Sequence, residues 1–259
     1  MARIDDLLVQ AVQAAGPKPD DDAPQKVKNP WVGKISNTLA VAIAAELRHR
    51  GMKQARPGAP GDLGLSGAER RLAGGIGAKR VDVSWATEES GLLLACSVKT
   101  IMFRDASSGA YQKNLTNRRG DLLVEAVTLH RRFPYAVLAG FLFLDHHAAK
   151  DGTSRRKSTF ENAFPRLRLF TRRPDPSGRE EQYERLFLLL VDSNQVTPQV
   201  TCYEVNDMSQ AVDLERAFDD LWCCWPSATS ISTRPWATGP SEAHRSLLRR
   251  RRPTRGHHT

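Results

Sequence analysis

Apolar residues recur every three to four positions in "ARIDDLLVQAVQAAG", a spacing that predicts a short helix over residues 1–15. "GPKPDDDAPQKVKNP" (Gly16–Pro30) has no such period and is rich in Pro and Asp, so it reads as a linker. The period returns in "NTLAVAIAAELRHRG", with Ser36 or Asn37 as the cap and Gly51 as the stop. "ARPGAPGDLGLSGAERRLAGGIG" reads as a loop with a helical turn at Ala68–Ala73. The period then falls to two. Lys79–Thr87 and Leu92–Ile101 read as strands joined by "EESG".

After a polar loop, "RDASSGAYQKNLTNRRG", the amphipathic run "DLLVEAVTLHRRF" predicts a helix ended by Pro134. "YAVLAGFLFLD" is a continuous apolar run and predicts a strand buried on both faces. "KDGTSRRKS" is a basic loop, and Thr159–Phe170 reads as helical despite Pro165. "YERLFLLLVD" fits a strand or a helix, "QVTCYEVND" a strand and "DLERAFDDLWCCW" a closing helix. This order predicts an α/β fold with a mixed central β-sheet flanked by helices. It divides the chain into an N-terminal helix and linker (1–30), an α/β domain (31–225) and a disordered basic tail (226–259).

Composition narrows this picture only modestly. The 259 residues are 40% hydrophobic and 26% charged, ordinary for a globular chain. The net charge of +9 is compatible with a polyanionic partner, but "LLRRRRPTRGHH" concentrates the excess near the C-terminus and is as readily a solvated tail. Cys96, Cys202, Cys223 and Cys224 form no CxxC pair and no disulfide framework, which fits a reducing cytoplasm. The first residues do not read as a secretory signal, and the Tyr135–Leu144 run is too short to span a bilayer.

Chemistry enters at the two strands. By alternation Asp82 points away from Val81 and Val83, and Lys99 points with Ser97. Antiparallel pairing about a turn near Ser90 sets Asp82 opposite Lys99. A carboxylate for a divalent cation beside a lysine that stabilises charge suits phosphodiester hydrolysis. An ordinary Asp–Lys pair between strands is the alternative. Two glutamates bear on that choice. Glu46 falls within the stripe marked by Leu39, Ile43 and Leu47, and Glu125 lies at the edge of the stripe marked by Leu122, Ala126 and Leu129. A carboxylate on a buried face needs a partner; the alternative for Glu46 is an edge position that reaches water, and for Glu125, with Arg118 and Arg132 seven positions either side, an ordinary helix-surface salt bridge.

With its helices, "VDV…LLLACSVKT" resembles the Asp-(x)n-(Glu/Asp)-x-Lys motif of the PD-(D/E)XK nucleases, the fold of type II restriction endonucleases. "YQKNLTNRRGDLLVEAVTLHRRFPYAVLAGFLFL" is similar to stretches in bacterial proteins of that kind. The resemblance covers Ile35 to Asp145 and departs from the motif at Ser97, where the family usually has an acid. Some of these enzymes are similar in placing Ser there and drawing a Glu from the following helix, here Glu125; Glu46 resembles the first-helix glutamate. The resemblance implies a restriction-endonuclease-like core with Asp82, Lys99, Glu46, Glu125 and Ser97 as the catalytic set. It implies Mg²⁺ or Mn²⁺ on Asp82, Glu46 and Glu125, and double-stranded DNA as substrate in defence against foreign DNA. A catalytically inactive DNA-binding or scaffold subunit is the other reading, and a homodimer or a larger defence complex stays open.

Two basic sets are candidates for DNA phosphate: Asn117, Arg118 and Arg119 at a helix start, and Arg155, Arg156 and Lys157 in the basic loop. Solvated surface is the alternative for both. Asp145-His146-His147 is a weaker metal candidate, because adjacent histidines do not readily face one ion. Cys223-Cys224, between Trp222 and Trp225, reads as a core contact.

Overall fold

A computed structural model describes residues 2–62, 67 and 70–223. The tail expected from residue 226 and the Cys223–Cys224 contact lie outside the described residues.

The period-two runs build one six-stranded sheet, ordered β3 (Val83–Thr87), β4 (Gly91–Ile101), β5 (Val137–Asp145), β6 (Arg185–Asp192), β7 (Gln199–Glu204) and β8 (Asp207–Val212). β4, β5 and β6 are parallel, while β3, β7 and β8 pair antiparallel at the two sides, so the sheet is mixed. "YERLFLLLVD" thus resolves as strand, and β8 is a strand that its polar sequence conceals. β1 (Arg70–Ala73) and β2 (Ala78–Val81) form a separate two-stranded ribbon. Arg70–Ala73 is therefore extended rather than the expected helical turn.

The helices are α1 (Arg3–Ala15), α2 (Gln25–His49), α3 (Gln112–His130), α4 (Thr159–Leu167) and α5 (Leu214–Cys223). Residues 25–30, expected as linker, are the first turns of α2. Pro30 removes only one backbone donor so near the start, and Trp31, Ile35 and Leu39 continue the buried stripe back toward it. The rest of the expected linker is tied down, since Trp31 Nε1 donates to the Gly16 carbonyl (3.0 Å). Residues 112–120, expected as loop, are the first half of α3.

Strand alternation assigns each helix a side of the sheet. Ala95, Ile101, Leu138, Leu142, Leu186 and Leu188 join Leu115, Leu122 and Ala126 of α3 and Phe164 of α4 in one core. On the other face Phe141 stacks on Phe187 and on Phe218 of α5, with ring centroids 5.3 and 5.6 Å apart. α2 covers that second face, because Ser36 Oγ and Thr100 Oγ1 share a hydrogen bond (3.0 Å). Gly140 makes room for the neighbouring strand's Leu186: a Cβ there would lie 2.3 Å from a Leu186 methyl, while Tyr183 and Leu122 stand at ordinary contact distance. No helix of the described residues is long and apolar enough to cross a membrane.

Candidate functional site

The run expected as one strand from Lys79 to Thr87 breaks at Asp82. Val81 pairs with β1 in the ribbon, Val83 pairs with Cys96 in the sheet, and Asp82 sits between the two sheets. At the break the strand stops supplying backbone partners to β4. The side chain takes over, and the Val98 N–H donates to Asp82 Oδ2 (2.7 Å). Lys99 Nζ donates to the same oxygen (3.1 Å) and lies 3.1 Å from Glu125 Oε2. Both carboxylates thus converge on one ammonium. Lys79 of β2 adds a second cation, 3.4 Å from Glu125 Oε2. Glu125 is buried, its Oε2 in ion-pair range of both lysines without a well-aligned hydrogen bond to either.

Burial alone would pull the Lys99 ammonium down, but Glu125 and Asp82 outweigh it and hold its pKa above the ordinary lysine value. Lys99 is therefore a fixed cation at neutral pH. Ser97, one position along the same face of β4, is buried and its Oγ makes no well-aligned hydrogen bond. It still lies close enough to the Tyr183 hydroxyl to act on that group's ionisation. Burial first, then the charge of Glu125, pushes the Tyr183 phenol well above its usual range, so it stays neutral and donates to the Leu122 carbonyl (3.1 Å).

Glu46 lies elsewhere. Thr100, next to Lys99, faces α2, so α2 and α3 cover opposite faces of β4, and Glu46 is separated from the Lys99 face by the sheet. It is buried and paired, Oε2 with Arg3 (2.8 Å) and Oε1 with Arg50 (2.6 Å). Arg50 in turn pairs with Asp219. This network fastens α1, α2 and α5 together.

The two basic sets stay apart from one another in role. Asn117, Arg118 and Arg119 stand in the second turn of α3, not at its start. Arg118 pairs with Asp121 (3.1 Å) and borders a cleft of about 360 Å³ with Lys28, Arg104 and Lys113, while Arg119 lies over the Phe170 ring. In the basic loop Arg155 and Lys157 are exposed, but Arg156 is a brace, bonding Gln112 Oε1 (3.1 Å) and the Asp151 carbonyl.

At the end of β5, Asp145, His146 and His147 form a cluster that could hold a metal ion. Asp145 is buried. Its Oδ1 accepts from the Tyr111 hydroxyl (3.1 Å) and from the backbone and Nδ1 of His147 (both 2.9 Å), and its Oδ2 pairs with Lys18 (2.7 Å). Burial opposes ionisation of Asp145, but Lys18 and His147 overcome it and hold the carboxyl below the usual aspartate value.

Lys79 and Tyr183 were missed in the sequence. Lys79 carries a signal, since alternation from Asp82's neighbour Val81 puts it on the inner face of β2. Tyr183 carries none, because only the arrival of β6 beside β5 brings it near Ser97. No protein-family model, curated protein or solved structure gives a significant match to the chain.

Proposed function

We propose that the chain is a divalent-metal-dependent DNA endonuclease with a restriction-endonuclease-like core. The observation that carries this reading is the convergence of Asp82 and Glu125 on Lys99 where the strand breaks. Two features support it further: the order helix, hairpin, helix, parallel strand, and a Glu on the helix after the hairpin in the role that Ser97 leaves open.

The donor set fits a hard cation. Asp82 and Glu125 offer carboxylate oxygens, which suit Mg²⁺ or Mn²⁺, and Ser97 adds a neutral oxygen. Such an ion, when bound, polarises a phosphoryl oxygen and lowers the pKa of water. Lys99 supplies a positive charge that never has to be made, aimed at the place where negative charge develops on a phosphate. Its raised pKa makes it a charge stabiliser and not a proton acceptor. Lys79 gives Glu125 a second cationic partner besides Lys99, so the carboxylate keeps a counter-charge while Lys99 engages substrate. Tyr183 closes the site from below as a neutral, fixed hydroxyl.

Plasmid cleavage in Mg²⁺, Mn²⁺ or EDTA tests the reading. Nicking or linearisation in either metal, abolished by EDTA, is the expected result. Asp82→Ala should remove it, and Lys99→Ala should slow it by about 10²–10³-fold, the usual loss of one preorganised charge stabiliser. Undiminished cutting by both variants would overturn the assignment. A second reading, DNA binding without hydrolysis, is favoured by one observation: Lys79 and Lys99 already neutralise both carboxylates. Metal-independent duplex binding with no cleavage in any metal would select it.

A further inference from the structure

The β1–β2 ribbon carries four cations and no acid. Arg71 and Arg80 are direct cross-strand partners, and both are exposed. Like charges set opposite one another destabilise a strand pair, so this pairing works against the ribbon's own stability. Among the described residues neither arginine has an ion-pair partner. Their face is completed by Ala73 and Ala78, the other exposed cross-strand pair, which leave the surface beside the arginine pair low. On the inner face Arg70 lies opposite Val81, and burial followed by the like charge of Arg56 pulls its pKa below the ordinary arginine value.

The ribbon is held firmly. The Gly75 N–H donates to the Thr128 carbonyl of α3 (2.8 Å), and a Cβ on Gly74 or Gly75 would come within 2.3 Å of Thr128 or Arg131. The two glycines let the turn dock on the helix and leave Ile76 exposed at the tip. β2 runs directly into Asp82, and its inner Lys79 reaches Glu125.

We infer that this ribbon is a nucleic-acid contact surface: the paired Arg71 and Arg80 face grips phosphates of a duplex and sets the strand beside Asp82. The inference rests on the nuclease reading and names its substrate-holding element. Two backbone phosphates, one beside each arginine, offset the arginines' mutual repulsion, and the alanines admit the sugar–phosphate backbone closely. The docked turn keeps the geometry fixed as the strand arrives.

Duplex binding in EDTA, measured by fluorescence anisotropy over about 50–200 mM salt, tests it without hydrolysis. Arg71→Gln/Arg80→Gln should weaken binding at least about tenfold and reduce the slope of log K against log salt by about two, near 0.9 per phosphate contact. Arg80→Glu is the second variant. It should bind equally poorly while its thermal midpoint holds or rises, since an opposite-charge pair replaces a like-charge pair. Wild-type affinity and slope in both variants would overturn the inference and leave the nuclease reading intact. So would a loss of binding that merely follows a lowered midpoint in both. A wild-type protein that binds no duplex at the lowest salt would overturn both.

Discussion

In the proposed nuclease site Ser97 stands where an acid would be expected, and its neighbours explain how a hydroxyl would be tolerated there. Glu125 already brings a second carboxylate to Lys99 from α3. Ser97→Ala should therefore leave cleavage within a few-fold of wild type, measured as the rate of plasmid linearisation, while Glu125→Gln should be as damaging as Asp82→Ala. Glu46 gives the contrasting case. Its carboxylate is consumed by Arg3 and Arg50 on the far face of the sheet. Glu46→Gln should lower stability by about 1–3 kcal/mol, the worth of charged hydrogen bonds, with cleavage unchanged once the protein is folded. In the sequence Glu46 falls within an apolar stripe and Glu125 at the edge of one; only the side of the sheet that each helix covers separates their roles.

At the scale of elements, the end of β5 is a second concentration of charge. Asp145 ties the α1–α2 connection, the start of α3 and the turn after β5 through Lys18, Tyr111 and His147. Its folded pKa lies below the unfolded value, so its contribution is fully present above about pH 4 and is lost as pH falls through the folded value. Asp145→Asn should cost about 3–5 kcal/mol at neutral pH, as expected for a broken buried pair. Its stability should also fall less steeply than wild type below about pH 4, measured by denaturant unfolding across pH. The packing of β5 against β6 side chains makes a separate demand. Gly140→Ala inserts a methyl where Leu186, Tyr183 and Leu122 already meet, an overpacking change of about 1–3 kcal/mol. Because Gly140 is the register partner of Ser97, the same change, by displacing Leu186, should also slow the proposed cleavage.

For the whole molecule, a cation bound only by the folded site stabilises the fold. At a hundredfold excess over Kd, Mg²⁺ should add about 2.7 kcal/mol, roughly 5–10 °C in thermal midpoint, and should add nothing to Asp82→Asn. The amino-acid sequence by itself determined the α/β class, the buried strand at residues 137–145, the closing helix and the Asp82–Lys99 juxtaposition, because periodicity and alternation are local properties. It placed Lys99 with Ser97 for the same reason. Local pattern misjudged the start of α2, where one proline masks a continuous stripe, and the ribbon at Arg70–Ala73, which depends on pairing with residues beyond a glycine turn. Only the tertiary structure decided between Glu46 and Glu125. That choice turns on which helix packs on which face of β4, fixed by contacts such as Ser36 with Thr100 that no local period encodes. The tertiary structure likewise brought Lys79 and Tyr183 to the site and set Arg71 against Arg80, since cross-strand register and the arrival of a distant strand are non-local.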